Sequence, residues 1–363
     1  MSGATHRVVY LPGDGVGPEV LGAARRCVDA AGERFGFQVT WDEHVVGGAA
    51  IDAFGTALRD ETIAAAEAAD AVLLGAVGGP RWDDPRASVR PEQAILGLRF
   101  ALGLFANLRP VRAIEALADS SPLRPEVRRG TDLLVVRELT GGVYFGRPQG
   151  PTPDGAVDTC AYTRPEIERI ARLAFELAQD RRREVLSVDK ANVMATGRLW
   201  REVVTEVARD YPDVTLAHAL ADSTATALVT RPSSFDVIVT DNLFGDLLSD
   251  EAAAIAGSLG LLSSASIGER RTAQGRLGLY EPIHGSAPDI AGQGMANPTA
   301  AIDSAALMLR WSFGEEAAAS ALEAATAATL ERGPRTRDLG GEASTDEVTG
   351  AVLRVFAQAP VPA

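Results

Sequence analysis

The sequence predicts an α/β protein of two domains, built from open sheets flanked by helices. Short apolar runs of strand length, such as Leu133-Leu134-Val135-Val136, alternate with longer stretches rich in Ala, Arg and Glu. That alternation is the signature of strands buried between helices. A length of 363 residues suggests two domains, with ample material for a core. A third observation narrows the class. Gly13-Asp14-Gly15-Val16-Gly17-Pro18 follows the first apolar run and approximates the dinucleotide fingerprint G-x-G-x-x-G, but Pro18 breaks the required register. The expectation is therefore not a Rossmann fold.

Composition excludes several functions. A formal net charge of −14 argues against nucleic acid, whose binding depends on neutralising phosphates. An acidic substrate has to be gripped by local arginines or a metal rather than drawn by global charge. The two cysteines, Cys27 and Cys160, form no zinc pattern or disulfide framework, which fits a reducing compartment. Residues 1–7 are too short and polar for a signal peptide, and no apolar run approaches ~18 residues. A cytoplasmic protein without membrane contact is expected.

Taken in order, residues 7–11 read as a strand, 12–19 as a tight turn, 20–35 as a helix and 37–44 as a strand. A helix over 60–69 precedes a short buried strand at 71–75. The loop Gly75-Ala76-Val77-Gly78-Gly79-Pro80 suits close approach of a flat ligand. In the helical segment 91–99, Glu92, Ile95, Leu96 and Arg99 fall on one stripe, an apolar pair flanked by an acid and an arginine. Phe105-Ala106-Asn107-Leu108-Arg109-Pro110 leads into another strand. Strand 133–139 contains Arg137, and a buried guanidinium has to meet an anion or a carboxylate. Tyr144 follows the Gly141-Gly142 bend, and residues 147–161 look like an irregular arm. Helix 164–180 precedes strand 184–188, which delivers Lys190 to its carboxyl end. Helix 200–211 and strand 214–219 follow, with Asp222 just beyond.

Residues 235–240 read as a buried strand opening into Asp241-Asn242-Leu243-Phe244-Gly245-Asp246-Leu247-Leu248-Ser249-Asp250-Glu251 and an Ala-rich helical pattern over 252–262. Asp246 and Asp250, four apart, project from one helix face and repel unless a cation joins them. Hard oxygen ligands just past a strand's carboxyl end suit Mg²⁺ or Mn²⁺. Residues 269–275 read as a polar loop. The Gly/Pro-punctuated loop from Glu281 through His284, Gly285, Ser286, Ala287 and Asp289 to Asn297 could hold a diphosphate and a ribose. Helices 299–313, 315–331 and 344–357 close the chain.

Strings shared in one order give the chain a family resemblance. They are Leu11-Pro12-Gly13-Asp14-Gly15, Leu104-Phe105-Ala106-Asn107-Leu108-Arg109-Pro110, Val136-Arg137-Glu138-Leu139-Thr140-Gly141-Gly142, Asp189-Lys190-Ala191-Asn192, 240–251 and 281–292. Over nearly its full length the chain resembles the β-decarboxylating dehydrogenases, the isocitrate and isopropylmalate dehydrogenase family. The resemblance implies a discontinuous cofactor-binding domain, 1–104 plus 257–363, and a central domain, 105–256, with the site in the cleft between them. It implies a homodimer with shared active sites. Arg99, Arg109 and Arg137 would bind the carboxylates of a small 2-hydroxy dicarboxylic acid, with Glu92, Ile95 and Leu96 beside its side chain. Asp246 and Asp250 would hold Mg²⁺ or Mn²⁺, with Asp222 arriving from the partner subunit. Tyr144 and the partner's Lys190, assisted by Asp222, would be the acid–base groups. Gly75, Ala76, Val77, Gly78, His284, Gly285, Ser286, Ala287, Asp289 and Asn297 would carry NAD.

The activity so implied is NAD-dependent oxidative decarboxylation of 3-isopropylmalate. Another 3-substituted malate, D-malate or tartrate, is the alternative, and a catalytically silent subunit is a rival of a different class. Departures from the family pattern at Ala94, Met194-Ala195-Thr196 and Ser223-Thr224 leave the substrate's C3 substituent open.

Overall fold

The computed structural model describes residues 3–84 and 86–359. The chain divides into two compact units, Met1–Leu104 with Gly257–Ala363, and Phe105–Ala256. Among the described residues no helix is long and apolar enough to cross a membrane.

The first unit begins with β1 (Thr5–Gly13), whose centre is buried from Val8 to Leu11. Pro18 lies in the first turn of α1 (Gly17–Phe35), where a missing N–H costs nothing. The residue that spoils the fingerprint thus opens the helix. β2 (Gln38–Glu43) and β3 (Ala71–Ala76) both run parallel to β1. Between them lie α2 (Gly47–Phe54) and α3 (Asp60–Ala68). The sequence gives no helical signal at α2, which opens on Gly47-Gly48, residues that disfavour a helix. On α4 (Gln93–Ala101) the buried residues are Ala94 and Leu98. The stripe through Ile95 and Leu96 is therefore not the core face: Ile95 packs only partly against the core and Leu96 is 38 % exposed.

The second unit opens with β4 (Leu104–Arg112), which contains Pro110 rather than starting after it. Four-residue α5 (Pro125–Arg128) leads to β5 (Asp132–Glu138), antiparallel to β4. The arm at 147–161 is not irregular: β6 (Gln149–Thr152) and β7 (Gly155–Asp158) form an antiparallel hairpin. Its turn is Pro153-Asp154, flanked by Gly155, residues suited to reversing a chain.

A capping box at Thr163 and Glu166 starts α6 (Arg164–Gln179). β8 (Glu184–Asp189), α7 (Ala195–Val207), β9 (Thr215–Leu220) and α8 (Ala221–Thr230) follow. β10 (Val237–Thr240), buried throughout, feeds α9 (Asn242–Ala256). The unit's strand order is β4-β5-β10-β8-β9, parallel from β5 onward.

The chain then returns to the first unit. β11 (Ser263–Arg271) and β12 (Arg276–Pro282) form an antiparallel pair joined at 272–275, within the polar loop expected at 269–275, and β12 lies parallel to β3. Serines replace the usual apolar alternation in β11, yet they are buried. Ser264 Oγ donates to Glu281 O at 3.0 Å, and the Ser264 N–H donates to Ser304 Oγ on α10 (Thr299–Trp311), so the buried polar groups are satisfied. The helices α11 (Glu316–Arg332) and α12 (Thr345–Gln358) complete the unit. Val9, Leu11, Val72, Leu74, Leu98, Leu277 and Leu279 share one core cluster.

Candidate active site

In the second unit, two strands and one helix deliver four functional side chains to one place. β4 carries Arg109, β5 carries Arg137 at its carboxyl end, and α9 carries Asp246 and Asp250 one turn apart. The expected repulsion between the aspartates is offset by the two guanidiniums. Arg109 Nη1 lies 3.0 Å from Asp250 Oδ1, and its Nη2 lies 3.5 Å from Asp246 Oδ1. Arg109 Nε donates to Asn107 Oδ1 at 2.6 Å and Nη1 to Ser249 Oγ at 2.7 Å. Arg137 Nη1 donates to Asp246 Oδ1, while Nε donates to Asn242 O and Nη2 to Asn242 Oδ1, each at 2.9 Å.

Both arginines are nearly buried, at 7 % and 3 % exposure, so this matching is required rather than decorative. Gly245 makes the approach possible: a Cβ there would sit 2.5 Å from Arg137 Cγ. Tyr144 Oη donates to Asp246 Oδ2 at 3.0 Å. Burial, reinforced by Asp246, pushes the Tyr144 phenol above its ordinary range, which keeps it protonated. Burial also raises the Asp250 carboxyl, opposed by Arg109.

Lys190, beyond β8, meets Asp222 in the first turn of α8, with Nζ 2.8 Å from Oδ1. That hydrogen bond holds the Asp222 carboxyl below its usual value. Asp222 does not join Asp246 and Asp250 within one chain. Among the described residues no group of three or more His, Cys, Asp or Glu could hold a metal ion. The donors on α9 are nevertheless carboxylate oxygens without thiolate or imidazole, and the Asp250 side chain is 58 % exposed. Such a set fits a hard cation that takes its remaining ligands from elsewhere.

In the first unit, Gly75 and Ala76 end β3, and Val77 and Gly78 continue into the loop. Asp14 holds that loop by accepting from Gly78 N at 2.8 Å. His284 Nδ1 lies 2.9 Å from Gly285 O, which fixes the proton on Nδ1 and leaves Nε2 an acceptor. His284 Nε2 is buried without a partner, and burial lowers the imidazole pKa, keeping the ring neutral. A buried lone acceptor beside an open loop fits an amino-bearing ligand such as an adenine. Ser286 is buried, Ala287 has φ +38, and Gly285 and Asp289 are exposed. Asn297 is held at both ends, donating to Asp338 Oδ2 and accepting from Thr299 N, each at 3.0 Å. Glu92, just before α4, is exposed, whereas Arg99 on α4 is already matched by Glu281 at 2.8 Å.

The family model described as isocitrate/isopropylmalate dehydrogenase matches residues 7–352. The chain belongs to this family. A 3-isopropylmalate dehydrogenase of Anaeromyxobacter dehalogenans is 56 % identical over 97 % of this chain and 99 % of its own. One from Salinibacter ruber is 56 % identical over 97 % and 95 %. Among solved structures, isocitrate dehydrogenase from Methylococcus capsulatus superposes with a TM-score of 0.85 at 36 % identity, covering 97 % of this chain and 100 % of its own. A β-decarboxylating dehydrogenase from Thermococcus kodakarensis gives 0.79 at 37 %, covering 97 % and 96 %.

As a member of the isocitrate/isopropylmalate dehydrogenase family, the chain is an oxidoreductase acting with a dinucleotide and a divalent metal on small hydroxy acids. The structure adds residues the sequence leaves without a role. Asn107, Asn242 and Ser249 orient the two arginines, and Glu281 engages Arg99. Asp241 accepts from Phe244 N at 2.8 Å and so caps the helix bearing Asp246 and Asp250. An Asp three residues before Phe244, at a strand-to-helix junction, is the signal that could have marked it.

Proposed function

We propose that the chain catalyses NAD-dependent oxidative decarboxylation of (2R,3S)-3-isopropylmalate to 4-methyl-2-oxopentanoate and CO₂, a step of leucine biosynthesis. One observation carries the reading: Arg109 and Arg137 flank Asp246 and Asp250, a dicarboxylate grip built onto a hard-cation site, in a chain whose relatives are named for this activity.

In this reading Asp246 and Asp250, with Asp222 of a second copy, hold Mg²⁺ or Mn²⁺. The loops at 75–80 and 284–297 hold NAD. When bound, the dinucleotide supplies the hydride acceptor, and the cation supplies Lewis-acid stabilisation of developing oxyanions. The chain's own groups do the rest. Arg109 and Arg137 fix the carboxylates, so the C2–H and the departing carboxylate are oriented before reaction. Lys190 of the second copy takes the C2 hydroxyl proton, with Asp222 of that same copy 2.8 Å away to orient its amine. After CO₂ leaves, the Tyr144 hydroxyl returns a proton to C3.

A homodimer with shared sites completes the reading. Val193, Val229 on α8 and Leu247 on α9 are 69 %, 37 % and 62 % exposed, apolar side chains of the second unit that a second copy would cover. The deciding experiment uses metal-stripped enzyme with 3-isopropylmalate and NAD. NADH and 4-methyl-2-oxopentanoate should form only after Mg²⁺ or Mn²⁺ is returned. Equal turnover in chelator would defeat the proposal.

A further inference from the structure

The turn at 12–19 has no role once the dinucleotide fingerprint is rejected, yet its two carboxylates close on two different loops. Asp14, 5 % exposed, accepts from Gly48 N at 2.7 Å and from Ala49 N and Gly78 N at 2.8 Å. Asp14 N–H also donates to Ala76 O at 2.7 Å. Glu19 accepts from Ala296 N at 2.9 Å and Gly294 N at 3.2 Å, and from the Thr345 hydroxyl. Between them Val16 N–H donates to Ser286 O at 2.8 Å. That approach demands Gly15, at φ +59, since a Cβ there would lie 1.9 Å from Ser286 O.

One short stretch, the turn after β1 and the first turn of α1 that continues it, therefore fixes both loops assigned above to NAD. A loop ordered before its ligand arrives loses less freedom on binding. We propose that the 12–19 turn is the positioning frame of the cofactor site, with Asp14 and Glu19 as positioning residues that set dinucleotide affinity without touching the dinucleotide. The inference rests on the dinucleotide reading of the two loops.

Glu19 offers the cleaner test, because Asp14 is buried and its loss threatens folding, whereas Glu19 is only half-buried. In full-length Glu19→Ala, NADH affinity is measured by fluorescence titration. Hydrogen exchange at Gly294 and Ala296 is followed without cofactor. The expected result is amide exchange faster by about tenfold, with the NADH Kd and the KM for NAD weakened by about tenfold, equivalent to one or two hydrogen bonds. The KM for the hydroxy acid and kcat at saturating NAD should change less than about threefold. Glu19→Gln keeps one acceptor and should fall between the two. Thr345→Val should weaken NADH binding in the same direction and add little to Glu19→Ala. A folded Glu19→Ala variant with native NADH affinity would overturn the proposal. So would parallel losses in both KM values with a lowered Tm, the mark of a general structural role. Wild-type enzyme that bound no NADH would instead remove the cofactor reading beneath it.

Discussion

Arg137→Met deletes a guanidinium that is 3 % exposed while keeping much of its apolar length. Asp246 Oδ1 then loses its Arg137 donor, and Asn242 loses two bonds of 2.9 Å. Breaking a buried ion pair from one side costs about 3–5 kcal/mol, because the remaining charge is uncompensated. The Asp246 side chain is 33 % exposed and keeps Arg109 at 3.5 Å, so the lower end applies, about 3 kcal/mol. For a unit of this size that lowers Tm by about 6–12 °C, measured by thermal melting in metal-free buffer. Asp246→Asn placed in the Arg137→Met background removes the stranded charge and should recover part of the loss. A shift under about 1 kcal/mol, or a double variant less stable than Arg137→Met alone, would refute the reasoning.

Asp246→Asn in the otherwise native chain should nearly abolish turnover while leaving the fold intact, checked by circular dichroism and steady-state assay. Mixed with Lys190→Met and refolded together, it should regain activity through hybrid dimers; if the sites are not shared, none returns. NAD should exceed NADP in kcat/KM, since exposed Asp289 can accept from ribose hydroxyls but repels a 2′-phosphate; equal values would count against that assignment. Burial raises the Asp241 carboxyl to about 6. The native state then holds this proton more tightly than the unfolded chain does, so its stabilising contribution is present below pH ~4 and lost as pH rises to ~6. Asp241→Asn, which retains the helix cap, should therefore raise Tm relative to wild type at pH 8, by the equivalent of about 1–3 kcal/mol, and not at pH 4.

The long periodic elements were legible. The helices at 164–180 and 299–313 lie within two residues of Arg164–Gln179 and Thr299–Trp311. What escaped were elements held by tertiary fit rather than pattern. Ser263–Arg271 lacks an apolar alternation because serines fill buried positions in it, and Gly47–Phe54 opens on two glycines, poor helix formers that give no helical signal. On α4 the core face is carried by Ala94 and Leu98, one of them small, which leaves the bulkier Ile95 and Leu96 partly exposed. At the site, Arg137 was expected to meet an anion from burial logic alone, and it meets Asp246. That Asp246 and Asp250 would be neutralised by two arginines was not legible, because Arg109 lies 137 residues from Asp246 in sequence.

The most direct test is a substrate comparison in one assay of NADH formation with Mg²⁺. Three extra carbons on malate, buried against apolar surface such as Ile95 and Leu96, are worth about 2.4 kcal/mol at ~0.8 per CH₂, or about 50-fold in kcat/KM. The expected result is 3-isopropylmalate ahead of D-malate by at least about that factor, weak use of isocitrate, and a narrowed gap in Ile95→Ser through loss on the alkylated substrate. D-malate or tartrate outperforming 3-isopropylmalate in the native enzyme would contradict the assignment.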